Sequence, residues 1–202
     1  FKIKELLRDL SNYYIKISPL INFTLHKSDK IFVTSLETKK IIPTMYHHKT
    51  KIMLGIGLDK FPNIDNSVNR DQDLFNIVFV GNFIEWKGIP IVLKTLMELK
   101  KKNSKFFLTI IGSGPQESNL KAQAKKYKIN ESIKWLRRVE REDLFKIFSK
   151  SDLLLFPSLR DSGGFVVLEA MSYGLPVSTL NLGGPGQIVN NECGIQIEVG
   201  NK

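Results

Sequence analysis

The stretch that decides the fold is SDLLLFPSLRDSGGFVVLEAMSYGLPV, residues 151–177. Continuous apolar runs at 152–157 and 176–180 predict two buried strands. Between them, 164–173 predicts a helix that is apolar around nearly its whole circumference and is therefore buried on all sides. A strand, a helix and a second strand in this order are typical of a parallel sheet, because parallel strands need a crossover connection. The same helix contains one carboxylate, Glu169.

This alternation of strands and helices extends in both directions along the chain. Further strands are predicted at 76–81, 105–112, 132–136 and 194–198, and further helices at 88–103, 115–128 (with Pro115 in its first turn), 140–150 and 184–190. Apolar strands that alternate with helices indicate an α/β fold, in which an open parallel sheet carries helices on both faces. In such sheets ligands bind at the carboxyl ends of the strands, where the loops gather.

The chain ahead of this sheet has a different pattern. Residues 1–28 predict a long amphipathic helix with a kink at Pro19. Short strands are predicted at 30–35 and 50–58, with a helix between them at 36–42. The polar, turn-rich residues 59–73 predict a linker. We therefore expect two domains, 1–58 and 74–202, and we interpret the chain as a fragment of a longer protein.

Composition narrows the class of protein. The chain has 202 residues, a net charge of +10 and one cysteine, Cys193, which excludes an internal disulfide framework and which we interpret as a core residue. It has no run of eighteen apolar residues, so no transmembrane helix is predicted, and a cytoplasmic location is expected. Lysine clusters at 100–105 and 121–128 are interpreted as solvated faces, and no nucleic-acid-binding motif occurs. Three histidines are interpreted as surface or packing residues and not as metal ligands: His26, His47 and His48.

Several glycine-containing loops follow the predicted strands. The loop from Gly81 to Gly88 carries Lys87 beside a helix start, which suits either an anion site or a plain turn. Gly112 and Gly114 lack a Walker or Rossmann fingerprint, so a structural turn is the stronger interpretation of that loop. The amides of DSGG (161–164) are expected to point at a ligand phosphate or hydroxyl, and LGGPG (182–186) adds a further loop. Together these loops favour a nucleotide-type ligand.

Glu169 poses a separate question, because a buried carboxylate needs a hydrogen-bonding partner. One interpretation is a structural bond to an arginine or to the backbone. The other is a carboxylate that accepts two hydroxyls of a sugar, with Asp161 able to reach the same cleft from the loop.

The motifs FVGNFIEWKG, IIGSGP and LGGPG, together with the stretch at 151–177, stand in the order and spacing of a known family. Residues 75–198 resemble the retaining glycosyltransferases of family 4, which have the GT-B fold of two facing Rossmann-like domains. The segment SDKIFVTSLETKKII resembles the end of the amino-terminal domain of this family, and GIGLDKF resembles its crossover linker. The resemblance implies that 74–202 is the truncated carboxyl-terminal donor-binding domain.

The resemblance also implies roles for individual residues. The family's E-x₇-E signature reads Asp161-x₇-Glu169 here. It implies that Glu169 accepts hydrogen bonds from the donor's ribose, that Asp161 contacts the transferred sugar and that Lys87 neutralises the diphosphate, so these three form the catalytic set. The donor-binding set expected from the family consists of Gly81, Asn82, Lys87, Gly112, Gly114, Arg138, Val139, Ser158, Arg160, Gly163, Gly164, Phe165 and Glu169. Within it, Arg138 and Val139 flank the base, and the amides around Gly163 to Phe165 receive sugar hydroxyls or the distal phosphate.

Two positions depart from the family pattern. Asp161 replaces a glutamate and reaches one methylene less far. Asn82 stands where the family usually has an arginine, which with Lys87 would stabilise the departing diphosphate. Arg160 is the candidate to compensate for the missing charge.

The function expected from the resemblance is transfer of a sugar from a nucleotide diphosphate sugar to an acceptor hydroxyl, with retention at the anomeric carbon and without a metal or another cofactor. Expected partners are the nucleotide-sugar donor and a sugar or lipid-linked acceptor in bacterial surface polysaccharide or lipopolysaccharide synthesis, with a peripheral contact at the inner face of the cell membrane. We expect the chain alone to be inactive, because the resemblance puts the acceptor face and a catalytic histidine outside it. Two alternatives stay open: a nucleotide-sugar 2-epimerase of the same fold, and a degenerate nucleotide-sugar-binding protein, suggested by Asn82.

Overall fold

The computed structural model describes residues 2–55, 57 and 73–200. Contacts divide the chain into two units, Phe1–Ile56 and Gly57–Lys202, which are described separately. The linker predicted at 59–73 lies outside the described residues except for Asp73, and so does the end of the strand predicted at 50–58.

The first unit contains a small parallel pair of strands with helices. Its elements are α1 (Lys2–Ile17), α2 (Pro19–Lys27), β1 (Ile31–Val33), α3 (Leu36–Ile41), a 3₁₀ segment (Thr44–Lys49) and β2 (Thr50–Ile52). The long helix predicted at 1–28 is two helices, because Ser18 takes an extended conformation before Pro19 (ψ 121°), as residues that precede proline prefer. The Ser35 hydroxyl caps α3 by accepting from the Thr38 amide.

The second unit is built on a six-stranded, wholly parallel sheet. Its strands are β3 (Phe75–Val80), β4 (Phe106–Ile111), β5 (Ile133–Leu136), β6 (Leu153–Phe156), β7 (Val177–Leu180) and β8 (Gly194–Ile197). The intervening helices are α4 (Ile89–Lys101), α5 (Glu117–Lys126), α6 (Arg141–Lys150), α7 (Phe165–Ser172) and α8 (Pro185–Ile188). The strand order is β5-β4-β3-β6-β7-β8, so the direction of winding reverses between β3 and β6. A reversal of this kind opens a crevice at the carboxyl ends of the strands, and the predicted α/β fold class is confirmed.

The core of this unit lies between the sheet and its helices. Val78, Phe79 and Leu108 of the central strands and Leu93 and Leu96 of α4 are fully buried. The sequence predicted Pro115 in the first turn of the next helix. Helix α5 begins at Glu117, so Pro115 lies ahead of it and that prediction was wrong. In the part of the chain that the structure describes, no helix combines the length and apolarity needed to cross a membrane.

Helix α7 is not buried on all sides, and that prediction was wrong. Val167 and Ala170 are buried, but the Phe165 side chain is 55% exposed. The helix packs on β6, β7 and α8, and its first residue, Phe165, is the one that remains exposed. Cys193, predicted in the core, is half-buried and packs against it.

Candidate functional site

Hydrogen bonds between backbones join the loops at the carboxyl edge of the sheet. The Phe83 amide of the β3–α4 loop donates to the Ser113 carbonyl of the β4–α5 loop at 2.8 Å. The Leu159 amide of the β6–α7 loop donates to the Trp86 carbonyl at 2.7 Å. The structure therefore brings the predicted glycine-containing loops together at one edge, as the sequence had indicated.

Asp161 is the hydrogen-bonding centre of this edge. Its Oδ1 atom accepts from the amides of Gly164 (2.8 Å) and Gly163 (3.2 Å), and its Oδ2 atom accepts from Lys87 Nζ at 2.5 Å. Its carbonyl accepts from the Gly184 amide at 2.7 Å, in the β7–α8 loop. One aspartate thus links three loops, which follow β3, β6 and β7.

Local electrostatics favour the charged form of Asp161. Burial pushes the pKa of this carboxyl upward, but the hydrogen bond from Lys87, the amide of Gly164 and the charge of Lys87 outweigh it, and the pKa is lowered. The amides of Gly163 and Gly164, predicted to point at a ligand, donate to Asp161 in this structure. The carboxylate takes that place because Asp161 comes two and three positions before these glycines, a spacing at which an aspartate side chain accepts from backbone amides and closes a turn.

Lys87 is held by its surroundings before any ligand arrives. It ends a short 3₁₀ turn, Glu85–Lys87, and Gly88 follows with φ 75°. A side chain at Gly88 would collide with the Pro157 carbonyl, 2.0 Å from an added Cβ, so this close approach requires glycine. The Lys87 ammonium lies 5.3 Å from the centre of the Phe156 ring, and the side chain is 18% exposed. Lys87 is therefore a largely desolvated cation at the carboxyl edge of the sheet.

Glu169 has a different partner. Its Oε1 atom lies 3.4 Å from Nη2 of Arg141, the first residue of α6, and its side chain is 18% exposed. The Arg141 guanidinium stands 5.4 Å from the centre of the Phe145 ring, and Phe145 stacks on Tyr173 at 4.7 Å. Burial raises the pKa of Tyr173, the Arg141 charge opposes that rise and the Glu169 charge adds to it. An arginine was one of the partners expected for Glu169, but no local pattern in the sequence links residues of two separate helices, so Arg141 itself was not predicted.

The other residues of the predicted set lie at the same edge with varied exposure. Ser158 is buried, and its hydroxyl donates to the carbonyls of Trp86 (3.2 Å) and Arg160 (3.0 Å). Asn82 and Arg138 are exposed, whereas Arg160 and Val139 are half-buried.

The glycines of this set contribute through their backbone. The Gly81 amide donates to the Ile111 carbonyl and the Gly112 amide donates to the Leu136 carbonyl, so each continues the ladder past the end of its strand. Gly114 packs against the backbone of Phe83. Among the described residues, no group of three or more His, Cys, Asp or Glu side chains is placed to hold a metal ion.

Comparison with known proteins gives a consistent set of relatives. Residues 60–202 match the family described as "Glycosyl transferases group 1". An uncharacterized glycosyltransferase of Haemophilus influenzae is 34% identical over 155 residues, which are 76% of this chain and 42% of that protein. The chain thus spans less than half of the length of this curated relative.

Two solved structures show the same fold at low identity. The lipopolysaccharide outer core galactosyltransferase WaaB, in its apo form, superposes with a TM-score of 0.72 at 17% identity, over 85% of this chain and 49% of WaaB. The pneumococcal O-GlcNAc transferase GtfA, in complex with UDP and GlcNAc, superposes with a TM-score of 0.70 at 22% identity, over 94% of this chain and 37% of GtfA.

Proposed function

The chain belongs to the glycosyl transferases group 1 family and has a GT-B fold, and on that premise we propose that it forms the donor-binding part of a glycosyltransferase. The whole protein would move a sugar from a nucleotide diphosphate sugar to an acceptor hydroxyl. One observation supports this most directly: a half-buried lysine and two carboxylates, Lys87, Asp161 and Glu169, lie in the loops and helix that follow β3 and β6, on either side of the point where the sheet reverses.

Lys87 is the group proposed to stabilise the leaving diphosphate. A cation in a partly desolvated site interacts with a developing anion more strongly than a cation in water does. Asp161 keeps this cation in place from the opposite loop, and we propose that it also contacts hydroxyls of the transferred sugar. In this proposal Lys87 offsets part of the charge of the diphosphate, and no metal or other cofactor takes part.

Glu169 is proposed to recognise the ribose of the donor. An ionised carboxylate offers about four lone-pair positions. Its long contact with Arg141 uses one of them, so two hydroxyls of a cis-diol can still be accepted. Arg138 and Val139, in the loop after β5, are the proposed neighbours of the base. Asn82, Ser158, Arg160, Phe165 and the loop glycines complete the proposed donor site.

Finer features of the reaction belong to the same proposal. We propose retention at the anomeric carbon and a role in surface polysaccharide synthesis, which the lipopolysaccharide transferase WaaB among the structural relatives supports. The exposed lysines at the end of α4, Lys100 to Lys102 and Lys105, support a peripheral contact with an anionic membrane that carries a lipid-linked acceptor. The membrane contact would be contradicted if the fraction of protein that sediments with liposomes depended neither on the anionic lipid content nor on the salt concentration.

The experiment that tests the donor site is calorimetric titration of the folded chain with UDP, GDP and ADP. We expect one nucleotide to bind and Glu169→Ala to weaken that binding by at least about tenfold, because hydrogen bonds from the ribose hydroxyls to a charged group are lost. Glu117→Ala is the matched control, because Glu117 is 19% exposed and also has an arginine nitrogen, of Arg137, at 3.4 Å. Failure of a folded chain to bind any of the three nucleotides would refute the proposal.

A second candidate is a nucleotide-sugar-binding protein that has lost turnover. The observation that favours it is Asn82, an exposed, uncharged residue beside Gly81 in the loop that carries Lys87. Donor hydrolysis by the full-length protein separates the two candidates. Turnover, with the anomeric configuration of the product read by NMR, supports the transferase, whereas tight binding without any turnover supports the second candidate.

A further inference from the structure

We propose that Arg141 is a positioning residue, which holds the Glu169 carboxylate in the orientation that accepts the ribose hydroxyls and so joins the ribose site to the loop after β5. This inference rests on the proposed function, because it assumes that Glu169 binds the ribose. Arg141 does not touch the donor in this proposal and acts through Glu169.

The first argument is that Arg141, although its side chain is 65% exposed, has a second contact besides Glu169. Its guanidinium lies over the Phe145 ring, and that ring stacks on Tyr173, which packs against the core. A planar guanidinium that rests on an aromatic face has fewer orientations open to it than a free arginine has. An anchored cation can therefore set the direction of the carboxylate that it contacts.

The second argument is that the contact can orient the Glu169 carboxylate and still leave one of its oxygens open to a ligand. One guanidinium nitrogen meets one carboxylate oxygen at 3.4 Å, so the pair is not the bidentate arrangement of two short hydrogen bonds. The other oxygen remains for ligand hydroxyls. The Ser172 hydroxyl donates to the carbonyl of Glu169 and not to its side chain, so it does not orient the carboxylate.

The third argument concerns what the pair connects. Arg141 is the first residue of α6 and comes three positions after Arg138, in the loop that is proposed to flank the base. Glu169 lies in α7, which follows a different strand. The ion pair therefore joins two segments that the sheet order separates, since β5 and β6 are not neighbours. A shift of the loop after β5 would therefore change the orientation of the Glu169 carboxylate, which is proposed to accept the ribose hydroxyls.

The test compares how well each variant distinguishes a ribonucleotide from its 2′-deoxy counterpart, with UDP, GDP and ADP as the probes. A hydrogen bond to a charged group is worth about a tenfold change in affinity or more, so we expect the unmodified chain to favour the ribonucleotide about tenfold. Glu169→Ala should bring this ratio to about one. Arg141→Ala should lower it to about threefold, and Arg141→Lys should recover part of it. In the double variant, the effect of Arg141→Ala should disappear, because residues that act as a unit are not additive.

Arg137→Ala is the matched control, since Arg137 is 81% exposed, lies in the same loop and meets Glu117 at 3.4 Å. It should keep the ratio of the unmodified chain. A purely structural role of Arg141 would change the urea midpoint or weaken both nucleotides equally, and would leave the ratio unchanged.

The outcomes separate this inference from the proposed function. If Glu169→Ala keeps the full ratio, Glu169 does not bind the ribose and the donor-site proposal fails together with this inference. If Glu169→Ala abolishes the ratio but Arg141→Ala does not lower it, the positioning role is refuted and the donor site stands. A ratio that rises in Arg141→Ala would show that Arg141 competes with the ribose, which also overturns the inference.

Discussion

Asp161 and Glu169 are two carboxylates of the same strand–loop–helix segment, and their side chains have the same exposure, 18%. Their bonding differs completely. Asp161 accepts three hydrogen bonds, from two amides and Lys87, whereas Glu169 has one longer contact with a mostly exposed arginine. Equal burial thus accompanies a carboxylate that accepts most of its hydrogen bonds from the protein and a carboxylate that has most of its lone pairs open to a ligand.

The difference follows from where each residue lies in the segment. Asp161 stands in the loop ahead of α7, where the amides of Gly163 and Gly164 precede the helix and donate to its side chain. Glu169 is inside the helix, where backbone amides are engaged by the carbonyls four residues earlier. A carboxylate there accepts hydrogen bonds from another side chain, from water or from a ligand, and not from the backbone of its own helix.

The largest expected effect comes from Asp161→Ala. The change leaves Lys87 without its carboxylate and two amides without an acceptor, and we expect a loss of about 2 to 3 kcal/mol in the free energy of unfolding. Urea unfolding followed by tryptophan fluorescence measures it, because both tryptophans, Trp86 and Trp135, belong to the sheet unit. Asp143→Ala, which removes an exposed aspartate paired with Lys146 at 2.9 Å, is the control and should leave the midpoint unchanged. Equal midpoints for the two variants would show that Asp161 does not hold the loops together.

A smaller loss of stability is expected from Lys87→Met. Asp161 keeps its two amide donors in this variant, so we expect a loss of about 1 to 2 kcal/mol in the same urea experiment. Nucleotide binding should fall below detection in calorimetry, because the cation proposed for the diphosphate is gone. Lys121→Met, which breaks a partly buried pair with Glu117 at 2.8 Å, is the matched control. If Lys87→Met kept its affinity for the nucleotide, Lys87 would not bind the diphosphate of the donor.

The comparison also shows what the sequence could predict. Repeated apolar runs predicted every strand of the sheet unit, because a buried parallel strand is a local signal in the sequence. The alternation of these strands with helices predicted a parallel sheet, and therefore that the loops gather at one edge. The same reasoning treated α7 as buried on all sides, since residue type alone does not say which of its residues stay exposed. The Arg141–Glu169 pair and the Lys87–Asp161 pair were missed because they depend on which segments meet in space; Arg141 is 28 positions from its partner. The amide bonds to Asp161 are local, at two and three positions, and an aspartate followed by glycines is a turn signal that could have predicted them.

Acid should remove part of the stability that Asp161 provides. The pKa of this carboxyl is below its ordinary value of 3.8 in the folded chain, so the unfolded chain takes up the proton first as pH falls. The contribution of the charged form is therefore complete above the ordinary value and is lost as pH falls through the lower folded value. The stability difference between the unmodified chain and Asp161→Asn, measured by urea unfolding, should be constant from neutral pH to about pH 5 and shrink below about pH 4. A difference that stays constant at low pH would mean that the charge of Asp161 contributes nothing.

The smallest effect on stability is expected from Glu169→Gln. The pair with Arg141 has a mostly exposed partner and one long contact, and exposed ion pairs are worth at most about 1 kcal/mol. The amide keeps the shape of the side chain, so the free energy of unfolding should change by about 0.5 kcal/mol or less. Nucleotide affinity should nevertheless drop about tenfold, because a neutral amide is a weaker acceptor for ribose hydroxyls than a carboxylate. Large destabilisation with unchanged affinity would contradict the assignment, since Glu169 would then be a structural carboxylate that does not accept the ribose hydroxyls.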